Sequence, residues 1–145
     1  MSALLAALLV AAAQPCADPA APCPGFRGHD LSFQREAGGT ARDEERSAAF
    51  YAVILESAPA CSLTEEKRLR AQSLFPGRKV FSSRFECDGD VENNVRYTNV
   101  DARRAFIAAY GGATAAEAGK VAVEARAKGF PGANVRRMQV VLVHP

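Results

Sequence analysis

Six stretches of the chain carry a regular hydrophobic pattern, four read as strands and two as helices. Residues 48–57, AAFYAVILES, are short and rich in β-formers, which predicts a strand. Residues 62–75 predict a helix. Ser62 stands three residues before Glu65 in capping-box spacing, and Pro76-Gly77 stops the run. Residues 79–86 predict a second strand and CDGDVENN a polar loop; NVRYTNVD reads as a short strand or an ordered excursion. Residues 102–111, ARRAFIAAYG, predict the third main strand. Residues 114–129 predict a helix opened by a Thr114/Glu117 capping box, capped by Gly129 and ended by Pro131. Residues 134–143, NVRRMQVVLV, predict a last strand.

The order β-α-β-β-α-β predicts an α+β, ferredoxin-like domain, a four-stranded antiparallel sheet with two helices on one face. Alternation then assigns the faces. In the third main strand Ala105, Ile107 and Ala109 suit the side beneath the Ala-rich second helix, which turns Arg104, Phe106, Ala108 and Tyr110 the other way. In the last strand Met138, Val140 and Leu142 suit the core and leave Arg137, Gln139 and Val141 open; in the second, Phe81, Ser83 and Phe85 suit the core and leave Ser82 and Arg84 open. Arg84, Phe106, Tyr110, Arg137 and Gln139 are thus the expected ligand-binding residues. Rings, guanidinium groups and an amide on one surface suit stacking on sugars and bonding to their hydroxyls or acetamides. The alternative is that preceding sequence or a partner covers this face.

Before residue 48 the pattern is lost. Residues 14–47 are rich in Pro, Ala, Gly and charge and read as a tail or linker, with the folded body at 48–145. Residues 3–13 are an uncharged apolar run of eleven, too short for a bilayer core needing about 20 residues. With Ala11-Ala12-Ala13 offering a small-x-small site, residues 1–13 read as a secretory signal, which predicts a periplasmic or secreted protein with no stable membrane span. The cysteine count changes the picture further. Cys16, Cys23, Cys61 and Cys87, an even number behind an export signal, read as two disulfides. The local pairing Cys16–Cys23 and Cys61–Cys87 is preferred, because the first two main strands run the same way and bring Cys61 and Cys87 out at one end. No two cysteines have the close spacing of a zinc site.

Charge and motifs exclude more than they assign. A formal net charge of +2 does not argue for nucleic acid. Arginine outnumbers lysine fourteen to four and is dispersed, apart from Arg103-Arg104 and Arg136-Arg137. Gly111-Gly112 precedes a helix but lacks the further glycines and the lysine of a phosphate loop, so the pair reads as a turn. His29 and His144 lie in the tail and next to the C-terminus, away from any base–nucleophile set. The Asp88–Asn94 stretch lacks the mid-loop glycine of a calcium loop. No catalytic residue, metal site or cofactor is expected.

FIAAYGGATAAEAGKVAVEARAKGF, a strand, a turn and a helix with Glu117-Ala118 near its start, resembles the sporulation-related repeat (SPOR) domain, and the likeness extends over about residues 48–143. Val53-Ile54-Leu55-Glu56-Ser57-Ala58 stands where that family often has V-Q-x-G-S-F, and Tyr110-Gly111-Gly112 where it has a G-P-F turn. The resemblance implies a ferredoxin-like, non-enzymatic module that binds peptidoglycan glycan strands lacking stem peptides on its sheet face. A module docking a periplasmic protein on that same face is the alternative.

Overall fold

The structure, a computed structural model, describes residues 44–83 and 95–143. In chain order the elements are β1 (Glu44–Arg46), β2 (Phe50–Pro59), α1 (Glu65–Leu74), β3 (Val80–Ser82), β4 (Val95–Tyr97), β5 (Arg104–Gly112), α2 (Ala115–Ala127), β6 (Asn134–Met138) and β7 (Val140–Val143). They form an α+β fold with two antiparallel sheets. The larger has strand order β3-β5-β2-β6 and the smaller β1-β7-β4. The second sheet was not expected. Its first strand, Glu44–Arg46, lies within the stretch read as linker, and its central strand is the end of what reads as one last strand.

That last strand divides at Gln139. Its first half, β6, pairs with β2, and its second half, β7, leaves for the other sheet. A polar clamp holds the crossing. The Gln139 N–H donates to Thr98 Oγ1 at 2.8 Å, and its side-chain amide donates to the Ser47 carbonyl at 2.9 Å. The Val140 N–H donates to Ser47 Oγ at 2.9 Å. Each buried donor at the break has a partner, which makes the break tolerable.

The large sheet separates two cores. On one side Val53, Leu55, Val80, Ala105, Ile107 and Ala109 meet both helices through Ala71, Phe75, Ala118, Val121, Ala122 and Ala125. On the other side Phe50, Ala52, Ile54, Phe81, Phe106 and Ala108 meet Val140, Val95 and Tyr97 of the second sheet. The expected division of β5 therefore holds. That of the second main strand does not. Phe81 pairs with Ala108 and packs beside Phe106 in the second core, while Val80 and Ser82, opposite Ala109 and Ile107, lie beneath the helices.

Local signals explain the helices. The Thr114 hydroxyl accepts from the Glu117 N–H and the Glu117 carboxylate accepts from the Thr114 N–H, so the expected capping box is present. At the other end Gly129 has φ 98°, and the Phe130 N–H reaches back to the Ala125 carbonyl at 3.0 Å in a Schellman closure. For α1 the expected cap is displaced. Ser62 closes a turn on the Pro59 carbonyl, Cys61 takes φ 70°, and Thr64 caps the helix by accepting from the Lys67 N–H. Leu63, just ahead of this cap, is buried in the core, which sets where the helix begins.

α1 also seals one edge of the large sheet. The buried Arg68 guanidinium donates to the Val80 carbonyl at 2.9 Å and is held by Glu65, while Gln72 Oε1 accepts from the Val80 N–H at 2.9 Å. An edge strand whose backbone groups are taken this way offers no template for another strand. At the opposite edge, Asn99 donates to the Arg137 carbonyl and Arg136 donates to the Asn99 carbonyl, both at 3.1 Å.

Two substitutions test this packing. A Cβ on Gly111 falls 2.8 Å from Ala118 Cβ and 2.9 Å from the Tyr51 carbonyl oxygen. Gly111→Ala is therefore expected to destabilise the fold by about 1–3 kcal/mol through overpacking, read as a lowered urea midpoint; an unchanged midpoint refutes the tight contact. The Ser82 hydroxyl is fully buried and has no hydrogen-bond partner among the described residues. Ser82→Ala is expected to raise stability by about 1 kcal/mol, because it removes a desolvated group at little cost in volume; a loss of that size would mean that the hydroxyl is satisfied.

Candidate functional site

Among the described residues, Phe106, Tyr110, Arg137 and Gln139 do not share one exposed surface. Phe106 lies on the expected side, but it is only 3% exposed and makes edge contacts to Phe81 and Tyr97 at 6.0 and 5.4 Å. The second sheet covers it, so it is core and not ligand surface. Tyr110 is half-buried and stacks on Phe50 at 5.5 Å. Arg137 is exposed, but it pairs with Tyr51 in the same row as the helix-side residues, opposite to Phe106. Gln139 is spent on the clamp that turns the chain. Arg84 lies outside the described residues, as do Cys16, Cys23 and Cys87. Cys61 is not a free thiol.

A concavity opens instead beside the glycine pair. It is a cleft of about 490 Å³, within the usual range of small-ligand sites. Arg78, Gly111, Gly112, Glu117, Lys120 and Glu124 line it. β5 delivers the glycines, α2 presents Glu117, Lys120 and Glu124 on successive turns, and the turn after α1 delivers Arg78. The Arg78 Nη1 donates to the Tyr110 carbonyl at 2.8 Å, which pins the guanidinium to the end of β5.

The charges in this cleft are unevenly engaged. Glu124 pairs with Lys128 at 2.7 Å. Glu117 is drawn into the helix start, where hydrogen bonds from the Thr114 backbone and hydroxyl, then from Ala113, with the charge of Lys120, hold its carboxyl below its ordinary pKa. The turn thus gathers N–H donors as an anion site does, and fills the seat with the chain's own carboxylate. Gly112, at φ 122°, has its would-be Cβ position 2.7 Å from that carboxylate, so only glycine fits. Both acidic groups are engaged, and Lys120 acts on Glu117 through its charge while making no hydrogen bond or salt bridge among the described residues. The cleft lining thus sets two cations, Arg78 and Lys120, beside two carboxylates, Glu117 and Glu124.

Sequence reasoning named Tyr110 in this region but missed Arg78 and Lys120. The available signals were the Pro76-Gly77 turn, which places the residue after it near the end of β5, and the three-residue step from Glu117 to Lys120 on one helix face. Among the described residues no three His, Cys, Asp or Glu side chains gather as a metal site, and no helix is long and apolar enough to cross a membrane. No protein-family model, no curated protein and no solved structure matches the chain.

The capping carboxylate makes the stability of α2 depend on pH. A depressed folded-state pKa contributes stability that is present above the unfolded value and lost as pH falls through the folded value. Urea midpoints of the native chain are expected to drop on acidification through that range, and Glu117→Gln should remove this component of the slope. Parallel curves for the two proteins would show that Glu117 is not the group responsible.

Proposed function

We propose that the chain is a non-catalytic binding module of the cell envelope, SPOR-like in plan, whose ligand is peptidoglycan glycan. With β1, β4 and β7 set aside, the remaining elements run β-α-β-β-α-β, and the first and third of these strands lie at the centre of the sheet. This order supports a ferredoxin-like core carrying an added second sheet. The apolar run at residues 3–13 supports export. A Cys61–Cys87 bridge fits the same reading: the Ala60 N–H bonds to the Arg103 carbonyl and the Ser83 N–H to the Phe106 carbonyl, so both stretches leave the sheet beside the start of β5.

The observation that carries the ligand is the cleft, not the covered sheet face. Glycan strands without stem peptides bear free lactyl carboxylates among hydroxyls and acetamides. Arg78 and Lys120 suit the carboxylate, and the open rim of the cleft admits a strand passing across it. Contact at this rim leaves the aromatic layer beneath the second sheet intact.

Sedimentation with purified sacculi tests the proposal. The native chain is expected to pellet with them, and Lys120→Glu to weaken binding about tenfold, equivalent to about 1.4 kcal/mol. Arg137→Glu, away from the cleft, is expected to bind as the native chain does. Recovery no better than that of a control protein would end the glycan reading, whereas loss with Arg137→Glu alone would move the contact to the sheet edge.

A further inference from the structure

A second, smaller cavity of about 210 Å³ lies on the helix side of the large sheet. Its walls and floor are apolar: Ala71 and Leu74 from α1, Ile107 from β5, and Phe130 from the turn after α2. Phe130 is fixed there by the Schellman closure and by its ring contact with Phe75 at 6.3 Å. The cavity is below the range of about 300–1,000 Å³ usual for whole small ligands, and suits a single apolar side chain. Leu74, which lines the cavity, is 41% exposed.

Three charged residues line the cavity. Lys67 and Glu56 satisfy one another at 3.2 Å. Arg70 is exposed, and its guanidinium has no hydrogen-bond or ion-pair partner among the described residues. A cavity sized for one apolar side chain, with one uncommitted guanidinium at its rim, is complementary to a group that carries an apolar side chain and a carboxylate on the same carbon. The geometry points to capture of a peptide C-terminus whose last residue is leucine or a similarly sized apolar residue. The side chain enters between Leu74 and Phe130, and the terminal carboxylate forms a two-point contact with Arg70. This site is separate from the cleft at the glycine pair and shares none of its lining residues.

The full chain, labelled with ¹⁵N, is titrated with an N-acetylated tetrapeptide ending in leucine, as the free acid and as the C-terminal amide. The free acid is expected to shift the amide signals of Ala71, Leu74 and Phe130 at millimolar concentration, and the amide form to bind at least tenfold more weakly. Arg70 is exposed, so Arg70→Ala is expected to fold normally and to lose the preference for the free acid, and Arg70→Lys to restore part of it. Equal binding of acid and amide, shifts confined to the residues around Gly111, or no shifts at 10 mM peptide, a probe concentration, would each overturn the proposal. Shifts at these three residues that grow with protein concentration alone would also overturn it, because they would identify a second copy of the chain as the occupant.

Discussion

A strand that is apolar on both sides has to be covered twice, and this requirement shapes the molecule. Ala52, Val53, Ile54 and Leu55 are all buried in succession, as are the five residues 105–109. Two central strands of this kind cannot rest on one helical layer with water beyond. Burying each large side chain contributes about 1.5–3 kcal/mol, so leaving one face of such a sheet in water would forfeit much of the stability of a small domain. The break at Gln139 supplies the second cover by sending β7 across to lie between β1 and β4. The covers differ in character. The helix side is lined by Ala105, Ala109, Ala118, Ala122 and Ala125, and Gly111 lets the helix backbone come closer still. The opposite side is thick with rings, where Phe50, Phe81, Phe106, Tyr97 and Tyr110 meet at centroid distances of 5.3–6.2 Å. Each such pair adds about 0.5–1.5 kcal/mol beyond its buried area.

What could be read from the residues was whatever local chemistry decides. The Thr114/Glu117 box, the Gly129 closure and the two sides of β5 are local, and they stand as expected. The failures have non-local causes. Ser62 and Glu65 have the spacing of a capping box, yet the burial of Leu63 moves the cap to Thr64. Val80 and Phe81 are both apolar, so no alternation within that strand reveals which belongs beneath the helices; pairing with Ala109 and Ala108 decides it. The second sheet is built from strands of three or four residues, shorter than a period can register. Alternation placed Phe106 on the correct side but carried no information about what lay there. The same holds for Gln139, which reads as a surface amide because the turn it makes depends on Ser47 and Thr98, distant in sequence.

The glycine turn shows how little separates a structural device from a binding one. Converging N–H groups at a helix start attract any anion of suitable size. Here the carboxylate three residues on arrives first, by covalent tethering, and a free ligand competes against an effective concentration it cannot match. The cations around it, Arg78 and Lys120, are not consumed in the same way. The turn is thereby fixed in shape while its surroundings keep their charge, which is the arrangement a preorganised site requires.

The clamp at Gln139 has a bearing on how the chain is made. Ser47 meets Val140, 93 positions further along the chain, and β1 can find its sheet neighbour only after nearly every other described residue has left the ribosome. Closing so large a loop is slow, although its entropic cost grows only with the logarithm of its length. Until then the ring-bearing face of the nascent sheet stands uncovered. Such a chain relies on the arrival of β7 to end its exposure to aggregation, because until then its ring-bearing surface is open to neighbours.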